Sequence, residues 1–310
     1  MFFYSDIDKV DLKNGTVLTI GTFDGVHNGH KKLISRLLNA SESLKLESLV
    51  FTFKPHPRLV LFPNETDLKL LNTYEERSEL FRIADIDHLL EFPFNEEFSH
   101  IDPEFFVREI LCKKLKMKKM VIGYDHRFGK NRSGSIELIR NLSTELNFEV
   151  EEINAQEINE INISSTRIRK ALESGNVKLA NLFLGYSYFI SGIVIKGKQL
   201  GREIGYPTAN IGQIDELKLI PASGVYAVLV EVNGIVKSGM MSIGKNPTTD
   251  NDDKVKLEVN IFDFDEDIYD KKIKIYFIDF IRKEIKFDGI DELKLALAED
   301  KVKTLKILKQ

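Results

Sequence analysis

Residues 20–33 read IGTFDGVHNGHKKL. The run TVLTI before it, Thr16–Ile20, is β-branched and apolar and predicts a strand; Leu33, Ile34, Leu37 and Leu38 after it recur at helical spacing. Two imidazoles, His27 and His30, therefore fall where a strand gives way to a helix. A helix start offers unpaired N–H groups and the positive end of a dipole, a setting suited to an anion. A metal site is a weaker reading, because metal ligands come in threes or fours and no Cys or His–Glu spacing nearby completes a set. A solvated glycine turn accounts for a lone H-x-x-H just as well. Gly25 and Gly29 favour the anion, since they let backbone approach a ligand closely.

Working outward, strands and helices alternate as far as about Leu184. Candidate strands are SLVFTF (48–53), HLLEF (88–92), KMVIGYD (119–125) and FEVEEI (148–153). The segment DPEFFVREILCKKL reads as a helix capped by Asp102 with Pro103 in its first turn. Alternation of this kind predicts a parallel sheet covered on both faces, with ligands at the carboxyl edge of its strands. After NLFLGYSY (181–188) the texture changes to strands at hairpin spacing, with an Asn233–Gly234 turn, which predicts a small closed antiparallel barrel followed by a helix from about Ile290. The expected division is 1–185 and 186–310.

Bulk properties are those of a soluble globular chain: 310 residues, 43% hydrophobic and 30% charged, with a formal net charge of −4. That charge advertises no polyanion-binding role. The single cysteine, Cys112, rules out a disulfide framework and reads as a small buried apolar residue in a reducing compartment. No apolar run reaches about 18 residues, so neither a membrane nor a secretory fate is expected and the cytoplasm is. All six histidines precede residue 127, so chemistry in the second half must use other groups.

Three further stretches of the first half suit phosphate and a planar ligand. INISSTRIRKAL (161–172) sets Ser164, Ser165 and Thr166 at a helix start with Arg167 and Arg169 in its first turn, against the dipole. A polyphosphate there would explain the mismatch; an ordinary hydroxyl cap with two exposed arginines is the alternative. GYDHRFGKNRSG (123–134) and FTFKPHPR (51–58) follow strands and carry aromatics, charges and prolines, and either also reads as plain turn chemistry. In the second half, GKQLGREIGYPTANI (197–211) joins a glycine- and base-rich loop to Thr208 and Asn210. These two alternate residues of an extended strand share a face and offer oxygen ligands to Mg²⁺. Glu258 alternates with Leu257 and Val259, which by pattern alone turns it to solvent.

Taken together the motifs resemble, over nearly the whole length, the bifunctional prokaryotic riboflavin kinase/FMN adenylyltransferase family, also called FAD synthetases. GTFDGVHNGH, FTFKPHP, GYDHRFG and ISSTRIR stand in family order in the first half. GREIGYPTAN, GVYAV, SIGKNPT, LEVNIFDF and IRKEIKF follow in the second. The resemblance implies a Rossmann-like nucleotidyltransferase domain and a riboflavin kinase barrel. ATP would be the co-substrate with Mg²⁺, and riboflavin, FMN and FAD the substrates and products. It implies that Glu258 is the base for the riboflavin 5′-hydroxyl and that His27 and His30 stabilise charge on phosphorus while the FMN phosphate attacks ATP. ATP and phosphate contacts are implied at Gly21, Phe23, Asp24, Gly29, Ser164, Ser165, Thr166 and Arg167 in the first half, and at Gly197, Lys198, Gly201, Arg202, Thr208 and Asn210 in the second. Flavin contacts are implied at Phe53, Pro55, His56, Pro57, Asp125, Arg127, Phe128 and Arg282. Four positions depart from the family pattern: His126 for an aromatic, Ser242 for asparagine, Asn260 for histidine and Asp270 for glycine. Partners are expected to be small molecules, with no nucleic acid and no membrane, and a monomer or weak homo-oligomer. Rival readings are an adenylyltransferase for another phosphorylated acceptor, a nucleic-acid-binding barrel, and a flavin binder retaining one activity.

Overall fold

The computed structural model describes residues 1–64, 67–123, 134–154, 163–197, 200–245 and 255–309. They form two compact units, Met1–Ser164 and Ser165–Gln310.

The first unit is built on a parallel sheet of β1 (Phe2–Tyr4), β2 (Thr16–Ile20), β3 (Glu47–Lys54), β4 (His88–Pro93), β5 (Met117–Gly123) and β6 (Glu149–Ile153) in the order β1-β4-β3-β2-β5-β6. Successive strand side chains face opposite ways, so each strand feeds two cores. Leu18, Ile20, Leu49, Phe51 and Leu90 join one core with Phe106 and Leu111, while Val17, Val50 and Leu89 join the other with Ile34, Leu37 and Phe81. This is the two-faced burial that alternating strands and helices predict. No pattern in the sequence signals the short edge strand β1, which pairs in parallel with His88–Leu90.

Helix α1 (Asn28–Leu44) follows β2, α2 (Pro57–Leu61) follows β3, and α3 (Tyr74–Ile83) precedes β4. A reciprocal capping box starts α3: Thr73 Oγ1 accepts from the Glu76 N–H, and Glu76 Oε2 accepts from the Thr73 N–H. Asp102 caps its helix as expected, its side chain accepting from the Phe105 N–H. The segment Phe106–Lys114 then runs as a π-helix, where an ordinary helical pitch was expected. Cys112 lies on it half-buried rather than buried, and burial pushes its thiol up to about 11, an unreactive thiol.

The second unit opens with the helices Ser165–Glu173 and Val177–Leu184, which the expected boundary at 185 assigned to the first half. Asn181 ties them to the barrel: its Nδ2 donates to the Phe277 carbonyl and its Oδ1 accepts from the Tyr188 N–H. The barrel strands are β7 (Phe189–Ile195), β8 (Ala209–Gly212), β9 (Gly224–Val232), β10 (Ile235–Lys245), β11 (Val255–Ile261) and β12 (Lys272–Arg282), closed antiparallel in the order β10-β11-β8-β7-β12-β9. The Asn233–Gly234 turn joins β9 to β10 with both residues at positive φ, the two-residue hairpin geometry its sequence signals. The helix Ile290–Leu308 packs against β9, β10 and β12. It buries Asp300 and Thr304 rather than its leucines, and Leu295 stands 69% exposed.

Candidate active sites

The loop after β2 leaves the sheet at its carboxyl edge and turns tightly into α1. Phe23 and Val26 hold positive φ, 50° and 36°, and the Val26 N–H donates to the Phe23 carbonyl. Such a backbone is costly for a β-branched residue, and strain of this kind collects at functional sites. His27 is the N-cap of α1: its Nδ1 accepts from the His30 N–H at 3.4 Å, which leaves the neutral ring with its proton on Nε2. The two rings stack, with centroids 3.7 Å apart and planes 13° from parallel. Phe23 meets His30 edge-on and in turn packs on Phe81.

Burial sets the electrostatics. His27 is 7% exposed and desolvation pulls it from 6.5 down to about 4. His30 is lowered well below its ordinary value by the same desolvation, then by His27 and Arg77. Its Nδ1 is enclosed with no hydrogen-bond partner among the described residues. Enclosed polar nitrogens are normally satisfied, so this atom marks a place where a ligand's oxygen would be received. Lys31, in the first turn of α1, is also lowered by burial.

The other expected contacts of this unit fall as follows. Gly21 donates its N–H to the Phe51 carbonyl, and a Cβ there would press on the Phe23 ring. The Asp24 carboxylate is buried and Oδ1 accepts from the Leu71 N–H at 2.8 Å, anchoring the loop. Gly29 is buried in α1. Phe53 packs against Phe51, Phe94 and Phe98. His56 is the N-cap of α2, with Pro57 in the first turn, and its own N–H donates to the Tyr74 hydroxyl. Pro55 follows Lys54 through a cis bond. Arg77 on α3, which no motif singled out, is buried and reaches the Thr22 and Phe53 carbonyls and Glu91. Asp125, His126, Arg127 and Phe128 lie outside the described residues, as does Lys198. Ser164 ends the first unit; Ser165, Thr166 and Arg167 open the second, with the Arg167 guanidinium over the Phe183 ring at 5.2 Å.

In the barrel, register lines up the second constellation. Glu258 on β11 stands opposite Asn210 on β8 and opposite Ser242 on β10. Leu257 and Val259 point into the barrel, so Glu258 does face outward as alternation predicts. That face is not open solvent, however. The Thr208 hydroxyl donates to Glu258 Oε2 at 3.3 Å, and Glu258 is half-buried. Two residues on, Asn260 is 6% exposed and its Nδ2 donates to the Pro207 carbonyl at 2.6 Å, pinning the segment that leads through Thr208 into β8. Gly197 lies so close to the Asn210 amide that a Cβ would collide with it, and one on Gly201 would collide with the Tyr206 carbonyl. Arg202 is exposed on the short helix Leu200–Glu203. The Thr208 hydroxyl and the Asn210 amide, beside the Glu258 carboxylate, offer the hard oxygens that suit Mg²⁺. Arg282 stands apart from this set: its guanidinium is paired with the buried Asp300 at 2.8–3.1 Å. Asp270 has positive φ, 61°, at the turn into β12 where the family pattern has glycine.

Among the described residues no helix is long and apolar enough to cross a membrane. The family model described as FAD synthetase matches residues 9–167, and that described as riboflavin kinase matches residues 184–308. A bifunctional riboflavin kinase/FMN adenylyltransferase of Listeria monocytogenes is 36% identical over 97% of this chain and 93% of its own. One of Bacillus subtilis is 37% identical over 94% and 92%. A crystal structure described as a macrolide-efflux protein from Streptococcus pneumoniae superposes with a TM-score of 0.89 at 33% identity, covering 98% of both chains. By identity and coverage, the chain belongs to the family of bifunctional riboflavin kinases/FMN adenylyltransferases.

Proposed function

We propose that the chain carries out in turn the two reactions its relatives are named for: the barrel phosphorylates riboflavin with ATP, and the first unit joins FMN to AMP with release of pyrophosphate. The functional boundary is taken near residue 185. The observation that carries this reading is that each unit holds its own phosphate-handling group of side chains: His27 and His30 at the start of α1, and Glu258 facing Thr208 and Asn210.

In the barrel, Glu258 takes the proton of the riboflavin 5′-hydroxyl as its oxygen attacks the γ-phosphorus of ATP. Thr208 orients that carboxylate, and Thr208 and Asn210 would hold Mg²⁺, which neutralises phosphate charge when bound. Gly197, Lys198, Gly201 and Arg202 cover the phosphates. In the first unit the nucleophile is the FMN phosphate, already an anion, so no base is needed. His27 donates from Nε2 to the α-phosphate as charge builds on it, and His30 does so beside it. Gly21, Phe23, Asp24 and Gly29 shape the nucleotide pocket. Ser164, Ser165, Thr166 and Arg167, on the N-terminal side of the functional boundary near residue 185, are the residues assigned to the β- and γ-phosphates. Phe53, Pro55, His56 and Pro57, with Asp125, Arg127 and Phe128, wall the flavin there; Arg282 borders it in the barrel. The protein acts in the cytoplasm on small molecules alone, as a monomer or weak homo-oligomer.

The test is incubation with riboflavin, Mg²⁺ and excess ATP followed by chromatography of the flavins. FMN should appear first and FAD after it. Accumulation of FMN alone would defeat the adenylyltransferase half of the reading.

A further inference from the structure

Arg77 is 4% exposed, and the two carbonyls and one carboxylate it binds come from β3, β4 and the loop that follows β2, three neighbours in the sheet. Nη1 donates to the Thr22 carbonyl at 2.8 Å, in the loop that runs from β2 to His27. Nη2 donates to the Phe53 carbonyl at 3.0 Å, at the end of β3 just before Lys54–Pro57, and to Glu91 Oε1 on β4 at 2.7 Å. The Thr22 carbonyl also accepts from the Thr52 hydroxyl at 3.4 Å. Tyr74, on the same face of α3 one turn earlier, lies under Arg77 and Lys54 at 5.1 and 4.8 Å from its ring centroid, and its hydroxyl accepts from the His56 N–H. A single helix face thus grips both the histidine loop and the segment that begins at Phe53.

Stability alone does not call for this arrangement. An apolar pair of similar volume commonly serves a core as well as a buried ion pair or better. A guanidinium is the group that holds two carbonyls and a carboxylate at fixed angles, because its donors diverge in one rigid plane. Its charge also faces His30 and opposes protonation of that ring.

We propose that Arg77 is a positioning residue for nucleotidyl transfer. By clamping the Thr22 and Phe53 carbonyls against Glu91, it sets the distance between the histidine loop and the acceptor-side segment Phe53–Pro57. The inference rests on the adenylyltransferase reading above.

Removing Arg77 alone would leave the buried Glu91 carboxylate with only the Lys54 ammonium at 3.8 Å, so the test uses the double variant Arg77→Met/Glu91→Leu beside Arg77→Lys and the parent protein. FAD formation from supplied FMN and Mg·ATP is measured with melting curves, and riboflavin phosphorylation on the same samples serves as reference. The double variant should melt cooperatively and phosphorylate riboflavin normally. Its kcat for FAD formation should fall about 10- to 100-fold, as a misplacement on the order of 1 Å in a reacting pair does, with KM for both substrates changed little. Arg77→Lys, which keeps the charge without the fork, should lie between it and the parent. A kcat within about twofold of the parent in the folded double variant, or a loss confined to KM, overturns the proposal. If the double variant does not fold, Arg77→Lys decides: a several-fold lower kcat at a native melting temperature supports the clamp, and an unchanged kcat refutes it. A parent protein that makes no FAD from FMN refutes instead the adenylyltransferase reading.

Discussion

The two candidate sites of this chain, both proposed to handle phosphate, lie in opposite surroundings. In the first unit His27 and His30 stack on each other with Phe23 edge-on to His30, His27 is 7% exposed, and desolvation lowers both imidazoles so that they are neutral. In the barrel Glu258 is half-exposed on the outer wall, where the Thr208 hydroxyl donates to it. On the proposed reading the contrast follows from the nucleophiles. A phosphate that arrives as an anion needs fixed donors where charge builds, and dry, pre-set dipoles serve best there. A hydroxyl must surrender a proton, and a carboxylate with access to water can accept and release it on every cycle.

The largest expected effect tests the wet side of that contrast. Glu258→Gln keeps size and polarity but cannot take the proton, so riboflavin phosphorylation should fall by roughly 10²- to 10⁴-fold while adenylylation of supplied FMN continues. Equal loss of both reactions in that assay would point to misfolding, and loss of neither would remove Glu258 from the mechanism. His30→Ala breaks the dry side. FAD formation from FMN should drop by about 10²-fold or more with phosphorylation intact, whereas a drop of a few-fold would return His30 to the role of a turn residue.

The dry site should also register in stability against pH. His27 has a folded value near 4 against 6.5 in water, so between those limits the unfolded chain binds a proton that the native chain refuses. Stability therefore falls as pH drops from about 6.5 to about 4, by up to roughly 3 kcal/mol from this residue, and is fully present above pH 6.5. Urea unfolding at pH 7 and pH 4.5 should show the loss, and His27→Gln should shrink it; an equal loss in the variant would show that His27 is not buried as described. The smallest effect concerns Asn260. Asn260→Ala leaves the Pro207 carbonyl without its donor, costing about 1–3 kcal/mol in barrel stability and loosening Thr208. Phosphorylation should weaken by about tenfold, and unchanged kinetics would show that the Pro207 contact does not hold Thr208 in place.

Which of these features the sequence discloses depends on how far apart the partners lie along the chain. Strands β2 to β6 and the paired histidines are legible because apolar runs, glycines and helical spacing are local signals. Strand β1 escapes because three residues with exposed Phe2 and Phe3 carry no pattern; only pairing with β4 makes them a strand. The π-helical pitch of Phe106–Lys114 has no side-chain signature, since the same apolar spacing fits an ordinary helix. Arg77 is silent because its partners stand 55, 24 and 14 residues away. Glu258 shows the limit of alternation, which names the face correctly and cannot see Thr208, brought onto that face beside Pro207. Asp300 likewise reads as one more solvated charge until the fold sets Arg282 against it.

On the proposed reading the wet site and the dry site are chemically independent, each serving one reaction. Mixing the two single variants in one tube tests it most directly. With riboflavin, Mg²⁺ and ATP, Glu258→Gln alone should leave riboflavin nearly untouched, and His30→Ala alone should stop at FMN. The mixture should make FAD, because FMN released by one protein feeds the other. A mixture that makes no FAD while the parent protein does, or a single variant that loses both reactions with its fold intact, would contradict the account.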